Sequence, residues 1–262
     1  MSVKKRIVSF DLDLTLFDHN LRKITPSAME AIKRLREDYY IVIASGRDMG
    51  LSNNKWFTEQ IKPDAIIHAN GAKVTKGRKI LRDLYFPREL TRQVIEVIKK
   101  EQWCIGAHFG DYAYFVNPEA AAVMYIQWWG TCTRKFRPVD ELLDKKIYTM
   151  LTNEPKENMD IFEARFPNLR AMWFGGIQGA DIVRREASKK QGMEALLEYW
   201  GLTFMDVIAF GDSFNDAELL KYAEVGVAMG NGDEIAKREA DFVTDAIDKD
   251  GVWNACKFLG II

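Results

Sequence analysis

The stretch Arg6 to Asn20, RIVSFDLDLTLFDHN, runs apolar from Ile7 to Phe10, places Asp11 and Asp13 where the run ends, and resumes with Leu14 and Leu16. A β-strand has a side-chain period of two, so both aspartates leave its end on the same side, close enough to repel. Burying two like charges is costly without a counter-charge. Two readings stand on these residues alone: a strand entering a solvated acidic turn, or a carboxylate pair kept for chemistry.

Outward from this stretch the chain keeps one rhythm. Thr25 and Pro26 suit the start of a helix over Pro26–Glu37. The run IVIASGR ends in Ser45, Gly46 and Arg47, and DAIIHANGA closes on Asn70 and Gly71. Near the C-terminus come a helix over Lys189–Tyr199, the strand DVIAF ending in GDSFND, the strand VGVAM ending in Gly-Asn, and a short strand at DFVT. Strands that are apolar along their whole length and alternate with helices predict a parallel sheet covered on both faces.

From about Arg82 to Arg184 the pattern changes. Strand candidates lie at LRDLYF, WCIGAHF, YAYFV, IYTML, LRAMWF and ADIVR, helical patterns in ELTRQVIEVIKK, AAAVMYIQWW and KENMDIFEARF, and a hairpin signal at FGDY. The expected fold class is α/β, a doubly wound, Rossmann-like parallel-sheet core of residues 1–81 and 185–262. An α+β unit of residues 82–184 is inserted into it.

The 262 residues are 47% hydrophobic, enough for a core in either unit, and the formal charge of -1 gives no reason to expect nucleic acid or an anionic membrane as partner. The basic start MSVKKR leads into an apolar run too short for a signal peptide, and no stretch approaches the roughly 20 apolar residues of a membrane span. Cys104, Cys132 and Cys256 are odd in number and far apart, which suggests neither a disulfide framework nor a zinc site. A cytoplasmic location is the expectation.

Several of the expected parallel strands end in small or acidic residues: Asp11 and Asp13, Ser45 and Gly46, Asn70 and Gly71, Asp212 with Asn215 and Asp216. Ligands of open α/β sheets bind beyond the carboxyl ends of the strands, so these groups can converge on one crevice. With DLDLT, then IVIASGR, then Lys189 in SKKQGMEAL, then GDSFND, the sequence resembles the haloacid dehalogenase-like hydrolases and, within them, the Cof-type phosphatases. ANGA and VGVAMGNG also look like elements of that family.

The resemblance implies a phosphatase that works through an aspartyl phosphate, with Asp11 as nucleophile and Asp13 as acid and then base. It implies Mg²⁺ held by the Asp11 side chain, the Asp13 backbone carbonyl and Asp212, with Asp216 orienting this set from behind and Thr15 holding the loop. Lys189, the Ser45 hydroxyl, backbone N–H groups near Leu12 and Gly46, and Asn215 would bind phosphate; apart from the resemblance, Arg47, directly after the second motif, is a candidate for contact with the leaving group. A small phosphorylated metabolite is the implied substrate, sugar phosphates first and cofactors such as flavin mononucleotide or pyridoxal phosphate behind them. A phosphomutase and a non-catalytic phospholigand-binding protein are the alternatives.

Other readings compete at single residues. GDSFND also suits a turn capped at Ser213 or Asn215. His19, His68 and His108 are scattered, and His68 reads as a packed residue. Trp128 and Trp129 lie on a helical pattern, where burial is the expected use and contact of one of them with substrate the alternative. Leu14 departs from the resemblance, since Cof-type members usually carry glycine there, and leucine restricts a turn that needs positive φ.

Overall fold

The computed structural model describes residues 5–175 and 177–262. Two compact units form: one holds the chain up to Met49, Lys55–Asp83 and Ala187–Ile262, the other Gly50–Asn54 and Leu84–Glu186. In chain order the first part carries β1 (Arg6–Phe10), β2 (Phe17–Asp18), β3 (Lys23–Ile24), α1 (Pro26–Leu35), β4 (Tyr39–Ala44), α2 (Lys55–Ile61), β5 (Ala65–His68), β6 (Lys73–Lys76) and β7 (Lys79–Asp83). The insertion carries α3 (Arg88–Glu101), β8 (Ile105–Phe109), β9 (Tyr112–Phe115), α4 (Pro118–Trp129), β10 (Lys135–Arg137), β11 (Met150–Thr152), α5 (Lys156–Arg165), β12 (Leu169–Trp173) and β13 (Ala180–Arg184). The chain closes with α6 (Lys189–Trp200), β14 (Val207–Gly211), α7 (Phe214–Tyr222), β15 (Val225–Ala228), α8 (Glu234–Glu239), β16 (Phe242–Val243) and α9 (Gly251–Phe258).

The first unit is built on an eight-stranded sheet in the order β16-β15-β14-β1-β4-β5-β6-β7. Pairing is parallel from β16 to β5 and antiparallel for β5–β6 and β6–β7. The parallel part follows from the apolar runs: Val8 and Phe10 enter the core that α1 and α9 cover, while Ile7 enters the core that α6 and α7 cover. The β6–β7 hairpin is a correction. LRDLYF was expected to be a strand of the inserted unit, but the strand is Lys79–Asp83, and it pairs with β6 at the edge of the large sheet.

The second unit contains a six-stranded sheet, β10-β9-β8-β11-β13-β12, antiparallel except for the β9–β10 pair. FGDY turns the β8–β9 hairpin as expected, with Phe109 opposite Tyr112. Trp103 and Tyr114 fill this unit's own core. Trp128 is half-buried against Phe174, whereas Trp129 is 52% exposed, so the expectation of burial fails for Trp129 at the last turn of α4. Among the described residues, no helix is long and apolar enough to cross a membrane.

Candidate active site

Because β1 lies between β14 and β4, with β5 next, four adjacent parallel strands end at one edge and deliver Asp212, Asp11, Ser45 and the Ala69–Gly71 turn. The chain leaves β1 toward β4 on one side while β14 flanks it on the other, the switch point at which open α/β sheets bind ligands. Asp11 follows β1 directly, and its N–H donates to the Phe210 carbonyl at 2.9 Å.

Next to it, the β4 and β5 turns are tied together. Ala69 and Asn70 both hold positive φ, 48° and 54°. Their N–H groups donate to the carbonyls of Arg47 and Ser45 at 2.9 and 3.0 Å. Such strained backbone persists where its surroundings over-determine it. The Ser45 hydroxyl accepts the Arg47 N–H at 3.1 Å, and the Asn215 amide donates to Asn70 Oδ1 at 2.8 Å.

Lys189 is brought in by close packing. Gly71 holds φ 88°, and a Cβ there would sit 1.9 Å from the Ser188 carbonyl oxygen, while a Cβ at Gly192 would sit 2.5 Å from the Ile67 side chain. These two glycines let the start of α6 settle against the turn after β5, with Ser188 accepting the Gln191 N–H as its cap. The Lys189 ammonium is fully buried and donates at 2.6 Å to both Asp11 and Asp216. Asp216 also accepts from the N–H groups of Asp212 and Ser213 at 3.2 Å, and Thr15 donates to Asp212 at 3.0 Å. GDSFND does form the capped turn considered for it, since Ser213 and Asp216 form a capping box on α7, and it brings Asp212 beside Asp11.

One carboxylate oxygen from each of Asp11, Asp212 and Asp216 lies within 4.8 Å of the others, and all three residues are buried. Burial raises the Asp11 carboxyl against the pull of Lys189, with Asp216 and Asp13 adding to the rise. Burial and the charges of Asp11 and Asp216 likewise raise Asp212. Lys189 is driven the other way: burial opposes its charge, but Asp11 and Asp216 hold it protonated. Three buried carboxylates share the one Lys189 ammonium, which contacts Asp11 and Asp216, and a hard divalent cation suits such an oxygen set.

Asp13 has different neighbours. Arg47 donates from Nε to Oδ2 at 2.7 Å and from a terminal nitrogen to Oδ1 at 2.6 Å, and His19 Nε2 lies 2.9 Å from Oδ1. Burial works to raise this carboxyl, but Arg47 and His19 outweigh it and hold Asp13 well below the usual carboxylate range. Without a cation, the proton preference of the two aspartates is thus the reverse of what an Asp11 nucleophile and an Asp13 acid need. Arg47, expected at the leaving group, sits on Asp13.

The loop itself runs through Leu12, which is buried and whose carbonyl accepts from Leu16 and Phe17 at 3.0 and 2.7 Å. Leu14 takes φ 62°, the conformation that glycine favours, with its side chain 41% exposed. Asn231 donates to the Leu14 carbonyl at 2.9 Å. Neither Asn231 nor His19 carries a signal in the sequence: the asparagine of VGVAMGNG has no role that its spacing assigns, and His19 stands apart from the other histidines. His68 is buried as expected, with Nε2 2.8 Å from Thr75 Oγ1.

Residues 8–256 match the sequence profile of a family described as haloacid dehalogenase-like hydrolase. Similar proteins include 5-amino-6-(5-phospho-D-ribitylamino)uracil phosphatase YitU of Bacillus subtilis strain 168, 24% identical with 96% of each chain covered. Pyridoxal phosphate phosphatase YbhA of Escherichia coli K12 is 26% identical over 91% of this chain and 92% of its own. A solved structure described as a HAD subclass IIB sugar phosphatase shares the fold with a TM-score of 0.84, at 24% identity, over 98% of this chain and 100% of that one.

Proposed function

Because this chain belongs to the haloacid dehalogenase-like hydrolases and is a phosphatase, we propose that it hydrolyses a small phosphorylated metabolite, a sugar phosphate first, through an aspartyl-phosphate intermediate. The observation that carries this reading is the convergence of Asp11, Asp212, Asp216 and Lys189 at the ends of β1 and β14 and the starts of α6 and α7. Asp11 attacks phosphorus, forming the Asp11–phosphorus bond as the bond to the leaving oxygen breaks. Asp13, which takes up a proton from solvent once the substrate's phosphoryl group draws Arg47 away from it, gives that proton to the leaving oxygen. It then takes a proton from the water that attacks the acyl phosphate, and inorganic phosphate and the Asp11 carboxylate are released.

Lys189, Ser45 and the N–H groups near Leu12 and Gly46 face the phosphoryl oxygens as charge spreads over them, with Asn215 fixed beside them by Asn70. Mg²⁺ is the cofactor this site would hold, through the carboxylates of Asp11 and Asp212 and the Asp13 carbonyl. When bound, it offsets the pooled negative charge and polarises the phosphoryl group. Thr15 and Asp216 orient Asp212 from behind. The inserted unit, residues 82–184 by the sequence boundary, acts as the cap that selects the leaving group.

A second reading, a cofactor phosphatase acting on pyridoxal phosphate or a flavin-related phosphate, is favoured by what two of the similar proteins are named for. A phosphate-release screen with Mg²⁺ over sugar phosphates, pyridoxal phosphate and flavin mononucleotide tests both. Sugar phosphates should be preferred in kcat/KM. A clear preference for the aromatic cofactors would replace the first reading by the second, and no release from any member would remove both.

A further inference from the structure

The β2–β3 hairpin, directly after the aspartate loop, is built to aim one side chain. Asp18 is buried and folds the turn by accepting the N–H groups of Asn20 and Leu21 at 2.7 and 3.1 Å. Phe17 bridges back to Asp13 along the backbone. Its ring meets the His19 ring edge-on at 5.2 Å and the Phe57 ring at 5.0 Å, so the imidazole rests on a packed aromatic base. From there Nε2 reaches Asp13 Oδ1 at 2.9 Å, and since a carboxylate offers no proton, Nε2–H donates.

Arg47 holds the same carboxylate from the other side, over the Phe57 ring at 5.2 Å. The two partners differ in geometry. An entering phosphoryl group competes with Asp13 for the Arg47 guanidinium, whose paired N–H donors match phosphate oxygens, whereas His19 aims a single ring nitrogen at Asp13 and is seated on Phe17. His19 can therefore keep the carboxyl aimed while Arg47 turns to the substrate.

We propose that His19 is a positioning residue for Asp13, fixing the carboxyl group's orientation from the tip of the β2–β3 hairpin during proton transfer to the leaving oxygen. This rests on the reading of Asp13 as the acid. A misaimed acid penalises a poor leaving group and spares a good one, because nitrophenolate departs without a proton.

The test measures single-turnover release of the leaving group from glycerol phosphate and from p-nitrophenyl phosphate, with Mg²⁺, for wild type, His19→Phe, His19→Ala, His19→Gln and Asp13→Asn. His19→Phe keeps the ring on Phe17 and loses Nε2, and should slow glycerol phosphate by about 10- to 100-fold while nitrophenolate release stays within about threefold. His19→Gln, which restores a side-chain N–H, should recover most of the loss, and His19→Ala should follow His19→Phe. Equal losses on both substrates, no loss on glycerol phosphate, or no recovery by glutamine would overturn the inference. Asp13→Asn separates the two levels. If it still turns over glycerol phosphate, the acid assignment itself fails; if it is inactive while His19→Phe and His19→Ala are normal, only the role of His19 fails.

Discussion

Leu14 occupies a left-handed turn, φ 62°, that costs an L-residue with a Cβ roughly 1–2 kcal/mol. Its side chain is largely exposed, so packing returns little of that cost. What holds the loop is Asn231, which donates to the Leu14 carbonyl while its own Oδ1 accepts the Ile247 N–H at 2.8 Å. Leu14→Gly should therefore stabilise the protein by up to about 1 kcal/mol, the relieved strain being partly offset by a more flexible unfolded chain. Denaturation midpoints decide it, and a lower midpoint for the glycine variant would mean that the leucine side chain contributes more than its exposure suggests. At the nucleophile, Asp11→Asn is nearly isosteric and should fold, yet phosphate release should fall below detection because a carboxamide is a poor nucleophile. Substantial turnover by purified Asp11→Asn would remove the covalent mechanism. The aspartates and Lys189 were legible because residue type, order and spacing carry the resemblance. His19 and Asn231 were not, since one depends on how Asp18 folds a turn and the other on a contact 217 residues away in sequence.

The element that assembles the site is α6, and its approach to β5 depends on two glycines. Gly71→Ala would combine a positive φ with a Cβ driven into the Ser188 carbonyl, so a loss of roughly 2 kcal/mol or more is expected, together with a fall in turnover as Lys189 is displaced. Unchanged stability by urea denaturation would show that the start of α6 can shift freely, against the packing described. Lys189→Met removes the ammonium that faces Asp11 and Asp216. Breaking a buried pair from one side costs about 3–5 kcal/mol, so in chelator this variant should melt well below wild type. A melting temperature equal to wild type in chelator would show that those carboxylates do not depend on Lys189. The parallel strands that frame these contacts were legible from their unbroken apolar runs. What stayed open was the partner of β7: LRDLYF reads as a strand, but an edge hairpin with Lys73, Lys76, Lys79 and Arg82 along it has no continuous apolar run to tie it to the large sheet. The β2–β3 hairpin, two residues per strand, is too short for any periodicity to register.

At the scale of the whole molecule, cation binding and folding should be linked, since the buried carboxylates repel one another until a charge is supplied. Chelation should abolish turnover, Mg²⁺ should restore it, and saturating Mg²⁺ at about 100 times its dissociation constant should add about 2.7 kcal/mol of stability. Full activity in excess chelator would exclude this use of the site. The two units should also divide the work. Every residue assigned to the chemistry, His19 included, lies in the unit built on the eight-stranded sheet. The inserted unit fills its core with Trp103 and Tyr114 but leaves Tyr112 43% exposed and Trp129 more so, with Lys135 and Arg137 near the Tyr112 ring. On the proposal that the inserted unit selects the leaving group, an alanine scan of its exposed residues, Tyr112, Trp129 and Arg137 included, should find variants that reorder the preferred metabolites by about 1–3 kcal/mol per lost contact, roughly 10- to 200-fold in kcat/KM. Nitrophenyl phosphate, whose leaving group needs little help, should be affected far less, because its turnover draws mainly on the Asp11 and Lys189 machinery. If the two activities fall together in every scanned variant, the exposed residues act only through the stability of the inserted unit, and the selection of substrate must lie in the unit that performs the chemistry.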